Sequence, residues 1–347
     1  MKLTSRLALT LLTLFVLLLG TAAYLYDRVV SLPEQTLSLT EPTLITVPKG
    51  FNGAKLNQFL QERAWLNQPT LLKLLFKLQP ELAEIRAGEY RIEPGETLGE
   101  LLSQLREGRS VLYPLTLIEG STVKELLKSL AANDLIEHTL SATSPESLAE
   151  ELDLDFESAE GLFLAETYHF MRGESDRTLL LRAHEALKQS LNEQWQQRDT
   201  QLPLENPYQA LILASIVEKE TGLVAERAKI AGVFMRRLDR NMRLQTDPAV
   251  IYGLGDQYAG NLTRKHLKQP TPYNTYVIKG LPPTPISLVG TDAIRAVMHP
   301  EQGSELYFVA KGDGSHQFSD TLQQHNKAVR QYQLKRRSDY RSSPEAN

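Results

Sequence analysis

From Leu7 to Tyr26 the chain carries no charged residue, and Leu, Ala, Val and Phe dominate the run. Twenty helical residues at about 1.5 Å each reach about 30 Å, the thickness of a bilayer's hydrocarbon core. Such a segment ties whatever follows it to a membrane or to export. Lys2 and Arg6 precede it, and Tyr24 and Tyr26 sit where an interfacial aromatic belt belongs. The basic start (1–6) is expected to stay in the cytoplasm, placing everything after Asp27 on the far side of the membrane. Thr21-Ala22-Ala23 is a poor cleavage site, and the apolar run continues past it through Tyr24, Leu25 and Tyr26. The segment therefore reads as a retained anchor over 7–26 rather than a cleaved signal peptide.

The 347 residues leave room for two or more folded units beyond the anchor, since domains usually run to about 100–150 residues. With 41% hydrophobic and 23% charged residues, the composition is that of a globular protein. A formal net charge of -4 offers no basic footing for nucleic acid. There are no cysteines, which removes thiol catalysis, cysteine-ligated zinc and disulfides. The histidines are scattered without an H-E-x-x-H pair, and there is no G-x-S-x-G elbow, S-x-x-K motif or phosphate-binding glycine loop. Metal and cofactor chemistries therefore find little support among the motifs.

Residues 27–42 show no clear period and read as a linker. A small α+β unit over 43–110 follows. Thr43–Val47 is strand-like, and Pro48-Lys49-Gly50 turns the chain. Leu56, Phe59 and Leu60 recur at helical spacing, and a second apolar helix surrounds Leu71–Leu78. Tyr90 and Ile92 lie on a strand closed by Pro94-Gly95, and Thr97 with Glu100 forms a capping box for a helix stopping near Gly108. Strand, helix, helix, strand is the layout of a LysM-like module, and the unit either grips glycan or serves as a spacer. Beyond it, over 111–334, a larger mixed α+β domain is expected. Leu115–Ile118 is strand-like, Thr122 and Glu125 cap a helix through Leu130, and 138–160, rich in Ser, Glu and Asp, reads as surface helices and loops. A helix over Asp176–Trp195 has Leu179, Leu180, Ala183, Leu187 and Leu191 on one stripe. Residues 335–347 read as a frayed polar tail.

The chemistry concentrates after Asn206-Pro207, an N-cap followed by proline at the first helical position. Ala210–Val217 is apolar around nearly the whole circumference, so the helix belongs in the middle of a domain. It runs into Glu218-Lys219-Glu220-Thr221-Gly222, with Gly222 a natural stop. Glu218 shares a face with Leu211, Ala214 and Ser215. Desolvation by apolar neighbours and the negative end of the helix dipole should raise its pKa, with Lys219 and Arg227 opposing if they come close. A glutamate kept protonated near neutrality can donate to a leaving oxygen. Periodicity alone does not separate that reading from an ordinary helix-end carboxylate.

A second helix over Ala225–Leu238 places Ile230, Val233, Phe234 and Leu238 on one stripe. The loops containing Gln245, Asp247 and Tyr252, and then Tyr273, Asn274 and Tyr276, combine amide, carboxylate and hydroxyl groups with tyrosine rings. They are equipped to bind sugars by hydrogen bonds and stacking, and equally to form turns around packed tyrosines. Leu306–Ala310 and Ser315–Phe318 flank Lys311-Gly312-Asp313-Gly314 as a β-hairpin, with His316 as one of its side chains.

Ala214-Ser215-Ile216-Val217-Glu218-Lys219-Glu220, Leu244–Pro248, Pro272–Tyr276, Gly280–Pro283 and Tyr307–Val309, in that order, resemble the YceG-like family over almost the whole chain. The resemblance implies a catalytic domain over 111–334 with Glu218 as the catalytic acid/base and Ser215, Gln245, Asp247, Tyr252, Tyr273, Asn274 and Tyr276 as candidate substrate contacts. It implies a periplasm-facing enzyme of the bacterial inner membrane that cuts peptidoglycan glycan strands between N-acetylmuramic acid and N-acetylglucosamine. Such cleavage leaves 1,6-anhydro ends and terminates new strands beside peptidoglycan synthases. Three places depart from the family pattern. Thr284 and Leu288-Val289-Gly290 stand where P-P-G-P-I and an N-P-G-like turn are common, and Ala165–Tyr168 replaces a P-D-T-Y-like stretch.

Overall fold

The structure, a computed structural model, describes residues 2–334 and is an α+β protein. Met1 and the tail expected over 335–347 lie outside the described residues. The chain divides into two compact units. One comprises the chain up to Tyr113 together with Phe170–Gly173; the other comprises Pro114–His169 and the chain from Glu174 onward.

Helix α1 (Lys2–Val30) contains the predicted anchor and runs past its expected end. It is long and apolar enough to cross a membrane, and Leu12, Phe15 and Leu18 are exposed along it. The stretch expected as a linker over 27–42 is instead docked: Val29, Leu32 and Leu37 are buried in the core of the first unit. Their spacing is too irregular to show a period, yet each fills a place in that core.

In the first unit β1 (Thr43–Val47) pairs antiparallel with β2 (Gly88–Ile92), Thr43 opposite Ile92 and Val47 opposite Gly88. Helices α2 (Gly53–Glu62), α3 (Pro69–Leu78) and α4 (Leu98–Glu107) complete it. Their starts are written locally. Asn52 accepts from the Lys55 amide, and Thr97 and Glu100 form the expected capping box. Leu56, Leu60, Leu72, Leu75, Leu101 and Leu105 supply the buried helix faces against Ile45, Tyr90 and Ile92.

Strand β3 spans Leu112–Thr116, earlier than the sequence suggested, and is followed by α5 (Val123–Ala131), opened by the Thr122–Glu125 capping box. After α6 (Pro145–Glu151) the chain does not stay on the surface as its polarity suggested: Ser158 through Ala165 are buried. Then come β4 (Thr167–Met171), which pairs with β3, and α7 (Asp176–Gln196). Helix α8 (Pro207–Glu220) is followed by α9 (Val224–Asp239), α10 (Asp247–Leu254) and α11 (Thr291–Met298). The expected hairpin is β5 (Tyr307–Ala310) against β6 (His316–Ser319), and α12 (Leu322–Val329) follows.

Helix α8 is the axis of the second unit. Every residue from Ala210 to Glu218 is buried, and α7, α9, α10 and α11 pack around it. Asn206 caps it as expected, its side chain accepting from the Gln209 amide at 3.0 Å. Its end differs from expectation. The helix stops at Thr221, in extended conformation, so Gly222 is not the terminator.

Candidate active site

Glu218 lies in the last turn of α8 with its side chain 2% exposed. Its Oε1 accepts from Arg227 Nη2 at 2.5 Å and its Oε2 from the Gly290 amide at 3.1 Å. Arg227 stands in the first turn of α9, and Gly290 is the N-cap of α11, so three elements converge on one carboxyl group. The same Nη2 donates to Glu119 Oε2 at 2.9 Å, from the turn after β3. Burial pushes the Glu218 carboxyl up to about 7; Arg227 and the Gly290 amide pull the other way, and the nearby Glu119 carboxylate pushes further up. The group can therefore exist as acid or as carboxylate near neutrality. Of the two cations expected to oppose its protonation, Arg227 does so, whereas Lys219 donates instead to the Gly120 carbonyl at 2.9 Å.

Two residues further on, Glu220 faces another side of α8. Thr246 Oγ1 donates to its Oε1 at 2.5 Å, and burial lifts this carboxyl to about 7 as well. It lines a cavity of about 620 Å³ together with Gln245, Asp247, Tyr276, Arg237 and Tyr307. Three candidate substrate contacts thus meet around Glu220 rather than Glu218. The Tyr276 hydroxyl donates to Asp247 Oδ1 at 2.7 Å. Gln245 holds a left-handed φ of 50°, tied down by its amide donating to the Thr275 carbonyl at 3.1 Å. Thr275 Oγ1 also accepts from the Thr246 amide and donates to the Thr246 carbonyl, joining the two loops.

The remaining candidates sit differently. The rings of Tyr252 and Tyr273 meet edge to face at 4.9 Å. The Tyr252 hydroxyl donates to Glu160 Oε2 at 3.2 Å, and that of Tyr273 bonds Thr284 Oγ1 at 2.8 Å, so the residue departing from the family pattern is built into the tyrosine cluster. Ser215 is fully buried. Its hydroxyl donates to the Ile212 carbonyl and accepts from the Ile286 amide at 3.0 Å, pinning the segment that leads to Gly290. Asn274 is also fully buried, its amide donating to the carbonyls of His266 and Gln269 while its oxygen accepts from the Tyr276 amide. Both hold loops in place; neither offers a free polar group to a ligand.

Sequence reasoning missed Glu119, Glu160, Thr246 and the Gly290 amide as site components. Glu119 stands in the turn after β3, before Gly120 at a φ of 75°. No spacing rule links it to a helix so far downstream. His316 is paired with Glu226, Nδ1 to Oε2 at 2.7 Å. Among the described residues no cluster of three or more His, Cys, Asp or Glu could hold a metal ion.

The YceG-like family model matches residues 45–331. The chain belongs to the YceG-like family. An endolytic murein transglycosylase of Bacillus subtilis (strain 168) is 26% identical over 327 residues, covering 89% of this chain and 90% of the relative. A protein of the same description from Streptococcus pneumoniae serotype 2 (strain D39) is 25% identical over 321 residues, 83% of this chain but 58% of that longer relative. A solved yceG-like protein from Listeria monocytogenes superposes with a TM-score of 0.52 at 26% identity, covering 83% of this chain and 99% of its own. The resemblance read from the ordered motifs is therefore a family relationship.

Proposed function

We propose that this protein is a membrane-anchored endolytic transglycosylase that cleaves peptidoglycan glycan strands at the bond between N-acetylmuramic acid and N-acetylglucosamine. The observation that carries the reading is the Glu218 carboxyl, buried in α8 with Arg227 and the Gly290 amide on its two oxygens and pushed up to about 7 by that burial. It acts first as acid, giving its proton to the glycosidic oxygen as the C1–O bond breaks. The sugar's own 6-hydroxyl closes onto C1, and its proton returns to the carboxylate, leaving a 1,6-anhydro end. One carboxyl group suffices because the nucleophile belongs to the substrate, in contrast to the two-carboxylate hydrolases. The murein transglycosylase names of relatives aligned over most of this chain support the substrate class.

In this reading α1 spans the bacterial inner membrane once, Lys2 and Arg6 stay cytoplasmic, and the folded units act in the periplasm. The unit over 43–110 is a LysM-like subdomain, a stretch of the strand away from the cut lies along Gln245, Asp247 and Tyr276 on the Glu220 side of α8, and cuts made beside peptidoglycan synthases end strands under construction. One observation favours a second assignment of the acid within the same reaction: the large cavity opens beside Glu220. Both are tested by digesting purified sacculi with the full chain in detergent and identifying termini by mass spectrometry. Anhydro ends that vanish in Glu218→Gln and persist in Glu220→Gln are expected. The reverse pattern moves the acid to Glu220, reducing ends indicate a hydrolase, and absence of any cleavage removes the enzymatic reading.

A further inference from the structure

We propose that Glu119 is a positioning residue of this site: it is the standing counter-ion of Arg227, and by holding that guanidinium it leaves Glu218 free to give up and regain a proton. The inference rests on the Glu218 reading above and adds a residue to it. Arg227 is the key. Its side chain is only 5% exposed, and a buried guanidinium needs a carboxylate partner whatever the state of Glu218. A single nitrogen, Nη2, serves both Glu218 at 2.5 Å and Glu119 at 2.9 Å, while Arg227 Nε is buried without any hydrogen-bond partner. The guanidinium is thus shared between two carboxyls and not saturated by either. When Glu218 is protonated, Glu119 balances Arg227; when Glu218 is a carboxylate, the cation is divided between them.

Gly290 makes the arrangement possible. Its amide donates to Glu218 Oε2, and a Cβ added there would overlap the Glu119 carboxyl. The absent side chain is the space in which Glu119 sits. Glu119 is 46% exposed on its side chain, so it stays in contact with water while its Oε2 reaches the buried Arg227. The groups facing Glu218 are then Arg227 from α9, Glu119 from the turn after β3 and the Gly290 amide from α11, with the neighbouring Lys219 turned to the Gly120 carbonyl. Without Glu119, Arg227 would have Glu218 as its carboxylate partner and would hold it in the charged state. Consistent with this, Glu119 is one of the influences that raise the Glu218 carboxyl.

The test measures initial rates of anhydro-end formation from sacculi by the full chain in detergent, as a function of pH. Glu119→Gln is expected to move the alkaline limb of the profile down by about one pH unit, so that the rate above neutrality falls about tenfold and recovers on acidification, with KM little changed. Glu119→Asp, which keeps the charge, should restore most of the limb. Gly290→Ala, which displaces Glu119 while leaving both carboxyls in the sequence, should shift it as Glu119→Gln does, and it decides the matter if Glu119→Gln does not fold. A folded Glu119→Gln or Gly290→Ala protein with an unshifted limb overturns the inference, as does a loss confined to KM. If Glu218→Gln is inactive in the same assay, that failure belongs to Glu119 alone. If Glu218→Gln is active, the reading beneath it has failed.

Discussion

Glu160 is a carboxyl group the reaction does not need, and it should make the fold sensitive to alkali. It is 1% exposed, accepts from the Val123 amide at 3.0 Å and from the Tyr252 hydroxyl at 3.2 Å, and has no cation among its hydrogen-bond partners. Burial raises it from 4.5 to about 7, with hydrogen bonds from the Val123 amide, the Tyr252 hydroxyl and the Gly161 amide pulling back. A carboxyl that binds its proton more tightly when folded contributes stability fully below its unfolded pKa and loses it as pH rises through the folded value. A rise from 4.5 to about 7 corresponds to on the order of 3 kcal/mol of stability, given up between those two values. Glu160→Gln keeps an acceptor for Val123 and a polar partner for Tyr252 but cannot ionise. At about pH 5 the variant and the parent should melt together; at about pH 8 the variant should melt higher by roughly 5–10 °C, taking about 2–4 °C per kcal/mol for a domain of this size. Glu218 and Glu220 are common to both proteins and cancel from the difference. Thermal melts of the full chain in detergent at the two pH values decide it. A melting difference that does not change with pH, or a variant less stable in alkali, would refute the claim that burial dominates at Glu160.

Two further outcomes follow from the placement of the candidate contacts. Ser215→Ala strands the buried Ile286 amide and should cost about 1–3 kcal/mol of stability, with any activity loss in kcat because the segment leading to Gly290 loosens; a rise in KM alone, at unchanged melting temperature, would return Ser215 to the substrate. Tyr276→Phe removes the donor to Asp247 at the cavity wall and should raise KM roughly fivefold, the equivalent of about 1 kcal/mol, with kcat nearly intact; an unchanged KM for glycan strands would place the sugar elsewhere.

What could be read from the chain was what short-range rules encode. Asn206-Pro207 announced the start of α8, the Thr97–Glu100 and Thr122–Glu125 boxes announced α4 and α5, and the all-round apolar run from Ala210 placed α8 in the middle of its domain while leaving open whether Glu218 faced solvent. What could not be read was which polar side chains serve the fold. Ser215 and Asn274 have the chemistry of ligand contacts, but a buried loop needs donors and acceptors of its own, and both are consumed there. The acidic stretch ending at Glu160 looked solvated for the converse reason: its buried carboxyl is satisfied by partners from α5 and α10 that no local pattern reveals. Glu119 is the extreme case, an exposed turn residue whose meaning depends on Arg227 and Gly290 far along the chain.

The order of the two glutamates in Glu218-Lys219-Glu220 explains why near-neutral titration is not by itself the mark of the acid. Two positions along an α-helix are separated by about 200°, so the carboxyls enter different surroundings from one rigid element. Both are lifted to about 7 by burial, but what they meet is unlike. A group that must donate a proton and then take one back needs each state to be supported in turn. Glu218 has this support: Arg227 and the Gly290 amide receive the carboxylate, while Glu119 keeps the guanidinium occupied when the acid is neutral. Glu220 has a single hydroxyl, Thr246, and the nearby Arg237 has its Nε and Nη1 committed to the carbonyls of Leu306 and Leu244. Its carboxylate would stand beside Asp247 with fewer donors to receive it than Glu218 has, so its role in the cavity is that of a hydrogen-bonding wall rather than the proton donor. An amide reproduces a neutral acid in shape and polarity. Glu220→Gln should therefore retain turnover with at most a change in KM, where Glu218→Gln should lose it altogether. Equal loss of kcat in both would mean that the cavity side of α8 takes part in the proton transfer, and that the division of labour argued from their partners is wrong.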